Sequence, residues 1–197
     1  MSNRPNVLLL FSDEHRHDAM GCAGHERVKT PHLDALAENG TRFTQAFTPS
    51  PICVPARAAL ATGQYVHQNR CWSNAEAYSG DPVSWGHHLI EQGHRVDSIG
   101  KLHYRGGETH NGFEEEILPL YIRNGVGWIK GLLRDHEAFF DVSSYVREIG
   151  PGSDRYTDYD LGVTRAARQW LSDAGQAASE KPWVLFVSWL RPHYPLT

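Results

Sequence analysis

Residues 7–11, Val-Leu-Leu-Leu-Phe, form an unbroken apolar run that ends at Ser12 and then at three ionisable residues, Asp13, Glu14 and His15. A run that is apolar at every position, not at alternate ones, is what a buried parallel strand requires, and the polar cluster marks its carboxyl end. Two further strands are expected. Residues 95–99 deliver Gly100, Lys101, Leu102 and His103, and the apolar stretch 183–189 delivers Arg191, Pro192, His193, Tyr194 and Pro195. Helical patterns lie between them. One spans 30–40, with Thr30 as cap, Pro31 in the first turn, Leu33, Leu36 and Ala37 facing inward, and Gly40 as the stop. A second, Ala-rich, covers 55–62 and closes at Gly63, and a third opens at Asp81-Pro82 and runs to Gln92 before Gly93. A fourth covers 158–174, with Leu161, Val163, Ala167, Trp170 and Leu171 as its apolar stripe. Residues 42–47 read as a short strand, and 104–155 as mostly loop with a short helix near 128–139.

Strand, helix and strand in alternation predict an α/β fold, a mainly parallel sheet sandwiched by helices. Ligands of such sheets bind beyond the carboxyl ends of the strands. Three expected strand ends carry Asp13, Lys101 with His103, and His193, so separate segments aim ionisable groups at one edge.

Composition narrows the function. With 19 basic against 23 acidic side chains in 197 residues, the chain lacks the basic excess that nucleic acid requires. Six Trp, eight Tyr and seven Phe supply a core and exclude a disordered chain. The run at 7–11 is far below the ~20 residues of a membrane span and lacks the cleavage site of a signal peptide. Neither a nucleic-acid nor a membrane partner is therefore expected. Three cysteines, Cys22, Cys53 and Cys71, make an odd number without paired-ligand spacing, so no disulfide framework is implied and a reduced, cytoplasmic protein is expected. The Asn39-Gly40-Thr41 sequon then carries no glycan. Twelve His direct attention to a site.

Asp13 and Glu14 are oxygen donors suited to a hard divalent cation, although neighbours in a strand point to opposite faces, so both ligate only if the chain bends there. Asp13 is the firmer candidate of the two. The alternative for such a pair is a solvated turn. Cys53 stands at a helix start, where free N–H groups favour negative charge, and Arg57 lies one turn further on, able to fold over an anion. A lone cysteine is commonly structural, but Pro55, Arg57 and the later Leu60-Ala61-Thr62-Gly63 weigh against that here.

Cys53-Val54-Pro55-Ala56-Arg57 followed by Leu60-Ala61-Thr62-Gly63 resembles the signature of type I sulfatases in the alkaline phosphatase superfamily. Other segments match in order: Arg4-Pro5-Asn6-Val7 leading to Asp13, Thr30-Pro31-His32-Leu33-Asp34 with Gly40 and Phe43, Gly100-Lys101-Leu102-His103, and Pro192-His193-Tyr194-Pro195. The resemblance spans essentially the whole chain. It implies an alkaline phosphatase-like sulfatase fold and a sulfuric ester hydrolase whose cysteine, Cys53, is oxidised to formylglycine by a formylglycine-generating enzyme. It further implies Asp13 and the matured Cys53 as ligands of a divalent metal, Ca²⁺ with Mg²⁺ or Mn²⁺ as alternatives. Glu14 stands where many sulfatases carry a second Asp and is one methylene longer, which leaves its ligation open. By the same resemblance Arg57 and Lys101 steady the formylglycine hydrate, His103 acts as its base, and His193 binds the sulfate or assists the leaving group. The substrate is then a small-molecule or carbohydrate sulfate ester.

Family members run more than twice this length, with further metal ligands and a substrate-binding lysine downstream. Residues 1–197 are accordingly expected to be the amino-terminal part of a sulfatase catalytic domain, incomplete at the carboxyl end. Alone, such a chain is expected to be inactive and either to self-associate or to need a carboxyl-terminal fragment. Two other functions remain open: a phosphonate or phosphate ester hydrolase of the same superfamily, and a non-catalytic metal- or anion-binding remnant.

Overall fold

The computed structural model describes residues 4–127, 149–176 and 181–196. The helix expected near 128–139 lies outside them. Strands β1 (Val7–Ser12), β2 (Arg95–Lys101), β3 (Glu115–Leu120) and β4 (Trp183–Trp189) build one sheet in the order β1-β4-β2-β3, every pair parallel. The helices are α1 (Pro31–Asn39), α2 (Cys53–Thr62), the short α3 (Val66–Asn69), α4 (Trp85–Glu91) and α5 (Arg155–Gln176).

β4 pairs with β1 on one side and β2 on the other, and its alternate side chains serve two cores. Val184 and Phe186 pack with Val54, Ala58 and Ala61 of α2 and with Val96 and Phe113, while Trp85 and Leu89 of α4 adjoin them. Leu185 and Val187 meet Val163, Ala167 and Trp170 of α5 on the opposite face, together with Ile99. This is the sandwich that an apolar strand at 183–189 requires. The apolar stripe of α5 is displaced from expectation at one point: Leu161 is exposed, while Val163, Ala167 and Trp170 are buried.

β1 is parallel, as expected, but it is not buried on both faces. Leu9 and Phe11 pack toward the α2 core, whereas Leu8 and Leu10 are exposed, because among the described residues α5 packs mainly across β2 and β4. Helix α1 likewise departs from expectation, since Leu33 and Leu36 are exposed and no residue of it is buried. Its contacts run instead to the turn at Gly21–Ala23. There Asp34 accepts the Cys22 N–H at 2.7 Å and the Thr30 hydroxyl at 2.8 Å. Thr30 occupies the cap position, yet its hydroxyl makes no cap bond and accepts the Gly21 N–H.

Residues 42–47 form no strand. The helix placed at 81–92 begins only at Trp85, because Ser84 supplies the cap and the preceding segment is held elsewhere, with the Tyr78 hydroxyl donating to the Pro82 carbonyl at 2.5 Å. β3 falls inside the stretch read as loop. Its sequence, Glu-Glu-Ile-Leu-Pro-Leu, carries the charges and proline of a sheet edge, which hide the strand period.

Candidate active site

The carboxyl edge of the sheet delivers Asp13, Lys101, His103 and His193, and the start of helix α2 delivers Cys53 and Arg57. Asp13 follows β1 directly, Lys101 is the last residue of β2 and His103 lies just beyond it, and His193 follows β4. Cys53 is the first residue of α2, preceded by the extended Ile52, and Arg57 is one turn along. Gly63 closes α2 in the left-handed conformation, donating to the Ala59 carbonyl at 2.8 Å.

Local geometry explains the placements. Gly100 has φ +100°, and a Cβ there would collide with the Ser188 carbonyl oxygen of β4. The β2–β3 register shifts at this point, between Ile99 and Lys101, and turns Lys101 into the site. The Leu102 and His103 amides both donate to the Leu120 carbonyl, at 3.2 and 2.7 Å. Glu14 has φ +59°, so the chain turns immediately after Asp13. The alternation that would send the two carboxylates to opposite faces is thereby broken.

The side chains meet. Lys101 Nζ forms an ion pair with Asp13 Oδ2, and Arg57 Nη2 lies 3.7 Å from the same oxygen. Cys53 Sγ is 3.9 Å from Asp13 Oδ2 and 3.7 Å from Lys101 Nζ. Arg57 and Lys101 are 2% and 1% exposed, so two cations and one carboxylate share a nearly dry space. Arg57 is anchored through Nη1, which donates to the Lys101 carbonyl at 2.5 Å and to Ser188 Oγ at 3.0 Å, while its guanidinium lies 5.0 Å from the centre of the Phe11 ring. Its Nε and Nη2 have no hydrogen-bond partner among the described residues. Buried guanidinium donors are expected to be paired; Nη2 has only the Asp13 carboxylate, at 3.7 Å, so these two are the donors that could receive an anion.

Burial pushes the Cys53 thiol up, and Lys101 and Arg57 oppose this only in part. The thiol therefore stays protonated near neutrality, unlike a reactive thiolate. His103 is pushed down to about 2, first by burial and then by Lys101, Arg57 and His193, so it is a neutral imidazole. Its Nδ1 is buried without a hydrogen-bond partner among the described residues. His193 Nδ1 faces the Tyr194 carbonyl at 2.6 Å, which can only accept, so Nδ1 carries the hydrogen. Its Nε2 lies 3.5 Å from Glu14 Oε1.

One ligating atom from each of Asp13, Cys53 and His193 lies within 4.8 Å of the others. The carboxylate oxygens of Asp13 suit a hard cation, whereas a protonated thiol does not. Oxygen in place of the Cys53 sulfur would give a donor set better suited to such a cation; Glu14 faces His193 and lies outside this group of three.

Sequence reasoning passed over three contributors. Ser188, the one polar residue in the apolar β4 run, was the readable signal for an anchor; Phe11 and Asn74, whose Oδ1 accepts the Val54 N–H at 2.9 Å, carried none. His15 and Arg16, which are near Asp13 in sequence, bind locally to the Ala19 carbonyl and to Asp18. All three cysteines are free thiols, and no helix among the described residues is long and apolar enough to cross a membrane.

Comparison with known proteins places the chain among sulfatases. The choline-sulfatase of Rhizobium meliloti is 29% identical over 204 residues, an alignment covering 98% of this chain and 39% of that protein. An ulvan-active sulfatase of Formosa agariphila is 38% identical over 148 residues, covering 75% of this chain and 28% of that protein. Among solved structures, the phosphonate monoester hydrolase of Agrobacterium radiobacter superposes with a TM-score of 0.65 at 25% identity, over 96% of this chain and 41% of that one. The chain thus spans well under half the length of the relatives it matches. The family model described as Sulfatase matches residues 5–197, a stretch that contains every strand end and the Cys53 helix, and the chain belongs to the sulfatase family.

Proposed function

We propose that residues 1–197 are the amino-terminal part of a sulfatase catalytic domain, and that they carry the nucleophile and anion-binding half of a sulfuric ester hydrolase site. The observation that carries this reading is the buried Arg57, two of whose donors have no hydrogen-bond partner among the described residues, beside Lys101 and Cys53. Net positive charge in a dry pocket suits a tetrahedral oxyanion, whose growing negative charge in the transition state these donors stabilise. Arg57 Nε and Nη2 orient two oxygens of the ester, and Lys101 Nζ neutralises charge near Cys53. A bound anion would offset the Lys101 and Arg57 charges that help hold His103 down, and would let His103 take the proton of a hydroxyl on a converted Cys53. His193, when Nε2 carries a proton as well as Nδ1, would donate it to the ester oxygen that departs.

Cys53 converted to formylglycine would offer a hydrated aldehyde, two hydroxyls on one carbon, in place of an inert protonated thiol. Asp13, the converted Cys53 and Glu14 would hold a divalent cation, Ca²⁺ being the best match to oxygen donors, which would withdraw charge from the bound ester. The substrate class is a small-molecule or carbohydrate sulfate ester, the substrate kind named by the choline- and ulvan-directed relatives.

The test co-expresses the full-length parent with a formylglycine-generating enzyme. Mass analysis of the Cys53 peptide should find aldehyde, and the product should hydrolyse an aryl sulfate in a cation-dependent manner. Thiol alone under these conditions overturns the reading. The likeness to a phosphonate monoester hydrolase favours a second reading, phosphonate or phosphate ester hydrolysis at the same site. Parallel assays with aryl sulfate, phosphodiester and phosphonate monoester decide between the two. The 197-residue chain alone should be inactive, because Ca²⁺ takes ~6–8 oxygens and these residues supply few.

A further inference from the structure

His193 stands on a loop beyond β4, yet it is brought against Asp13 and Cys53. Side chains of the first two turns of α5 and of the loop itself hold that loop. Asp160, 9% exposed, accepts the Leu190 N–H on Oδ1 and the Arg191 N–H on Oδ2, both at 2.8 Å. The Arg191 side chain adds a second grip: Nη2 reaches Asp154 Oδ1 at 2.5 Å and Thr157 Oγ1 at 3.2 Å, and Nη1 donates to the carbonyls of His193, at 3.2 Å, and of Pro195. Asp154 is itself fixed by the Tyr156 and Thr157 amides, at 3.0 Å each. The Tyr156 ring meets the His193 imidazole edge-on, with centroids 6.2 Å apart. The start of α5 therefore grips the chain ahead of His193, and the Arg191 side chain ties in the chain beyond it.

We infer that Asp160 is a positioning residue for His193, with Arg191 as the second arm of the same clamp. It acts through two backbone amides and touches neither nucleophile nor substrate. The requirement for a carboxylate is chemical. Two neighbouring N–H groups each need an acceptor, and a carboxylate has only acceptors, whereas an asparagine presents its own N–H₂ to one of them. Asp160→Asn should thus free one amide and let the His193 loop drift by a fraction of an ångström, enough to misplace a group that must meet a departing oxygen.

The turnover part of this inference rests on the sulfate ester reading; the clamp itself does not. The test uses the full-length, matured protein with Asp160→Asn, Arg191→Lys and, as a control, Asp173→Asn, whose carboxylate accepts from Gln169 on the same helix. Amide hydrogen exchange at Leu190 and Arg191, the imidazole NMR signal of His193, and steady-state kinetics on a nitrophenyl sulfate are measured. Asp160→Asn should speed exchange at one or both amides by at least about tenfold, shift the His193 signal, and lower kcat about 10–100-fold with KM within about 2-fold, the control being unchanged. Unaltered exchange, or altered exchange with a normal His193 signal and normal kcat, overturns the inference and leaves Asp160 a purely structural residue. Should Asp160→Asn fail to fold, Arg191→Lys carries the same readouts through the other arm. If the wild-type protein turns over no ester at all, the functional reading fails, while exchange and the His193 signal still decide the clamp.

Discussion

Lys101 and Asp13 form a buried ion pair although they end strands that are not neighbours: β4 lies between β2 and β1, and the pair closes over its end. The contact joins the two flanking strands at the site and leaves Arg57 as a second cation against the same carboxylate. A buried ion pair is weak evidence of stability by itself, but removing one partner strands the other.

Replacing Lys101 with Met should therefore destabilise the fold by about 3 kcal/mol, toward the low end for a broken buried pair because Arg57 remains near Asp13. Adding Asp13→Asn should recover part of that loss. Urea unfolding of the two single variants and the double variant checks this, and additive single effects would show that the pair is not coupled.

His103 gives the stability a defined pH dependence. The free imidazole titrates near 6.5, but in the folded chain the group is pushed down to about 2. Between those values the unfolded state binds a proton that the folded state does not, so stability rises with pH and levels off above about 6.5. Acidification from pH 7 to pH 5 should cost about 2 kcal/mol through this one group. His103→Gln should flatten the profile across that window, and urea midpoints as a function of pH measure it.

Gly100→Ala should destabilise strongly, by about 2 kcal/mol or more, since the substitution combines an unfavourable positive φ with a collision against the Ser188 carbonyl. The same change should displace Lys101, whose orientation depends on the register shift at Gly100. Loss of the Lys101–Asp13 coupling in the double-mutant cycle, measured in the Gly100→Ala background, distinguishes displacement from simple destabilisation.

Legibility in the sequence followed burial. β4 was readable to the residue because every position but Ser188 is apolar and both faces are covered. Lys101 and His193 were readable as site candidates because ionisable groups directly after such strands have no packing reason to be there. The contrast is β3, where Glu115, Glu116 and Pro119 serve an edge and erase the period, and α1, whose Leu33 and Leu36 promised an inward face that the described residues do not cover. The turn at Glu14 and the Asp160 contacts were not readable at all, since both depend on backbone geometry that no side-chain pattern encodes.

The exposed face of β1 should drive association. Leu8 and Leu10 are 42% and 50% exposed on a strand paired, among the described residues, only with β4. Such an edge invites pairing with another chain, and charge blunts it. Leu8→Lys with Leu10→Lys should shift the 197-residue chain toward monomer in sedimentation velocity; an unchanged distribution would place the association elsewhere.

Arg57→Lys should separate anion binding from stability. Arg57 Nη1 serves the fold through the Lys101 carbonyl and Ser188, whereas Nε and Nη2 make no hydrogen bond among the described residues. A lysine keeps the charge but loses the planar fork that presents two donors at once. Hydrogen bonds to charged groups contribute ~1.5–3 kcal/mol each, so losing one should weaken inorganic sulfate binding about 10–100-fold. Because buried Lys101 still supplies one cation, binding should weaken and not vanish. Calorimetric titration of sulfate into wild-type and variant protein, at fixed ionic strength and with melting temperatures recorded in parallel, reads the two effects apart. Equal affinities would show that the unpartnered donors of Arg57 do not face the anion.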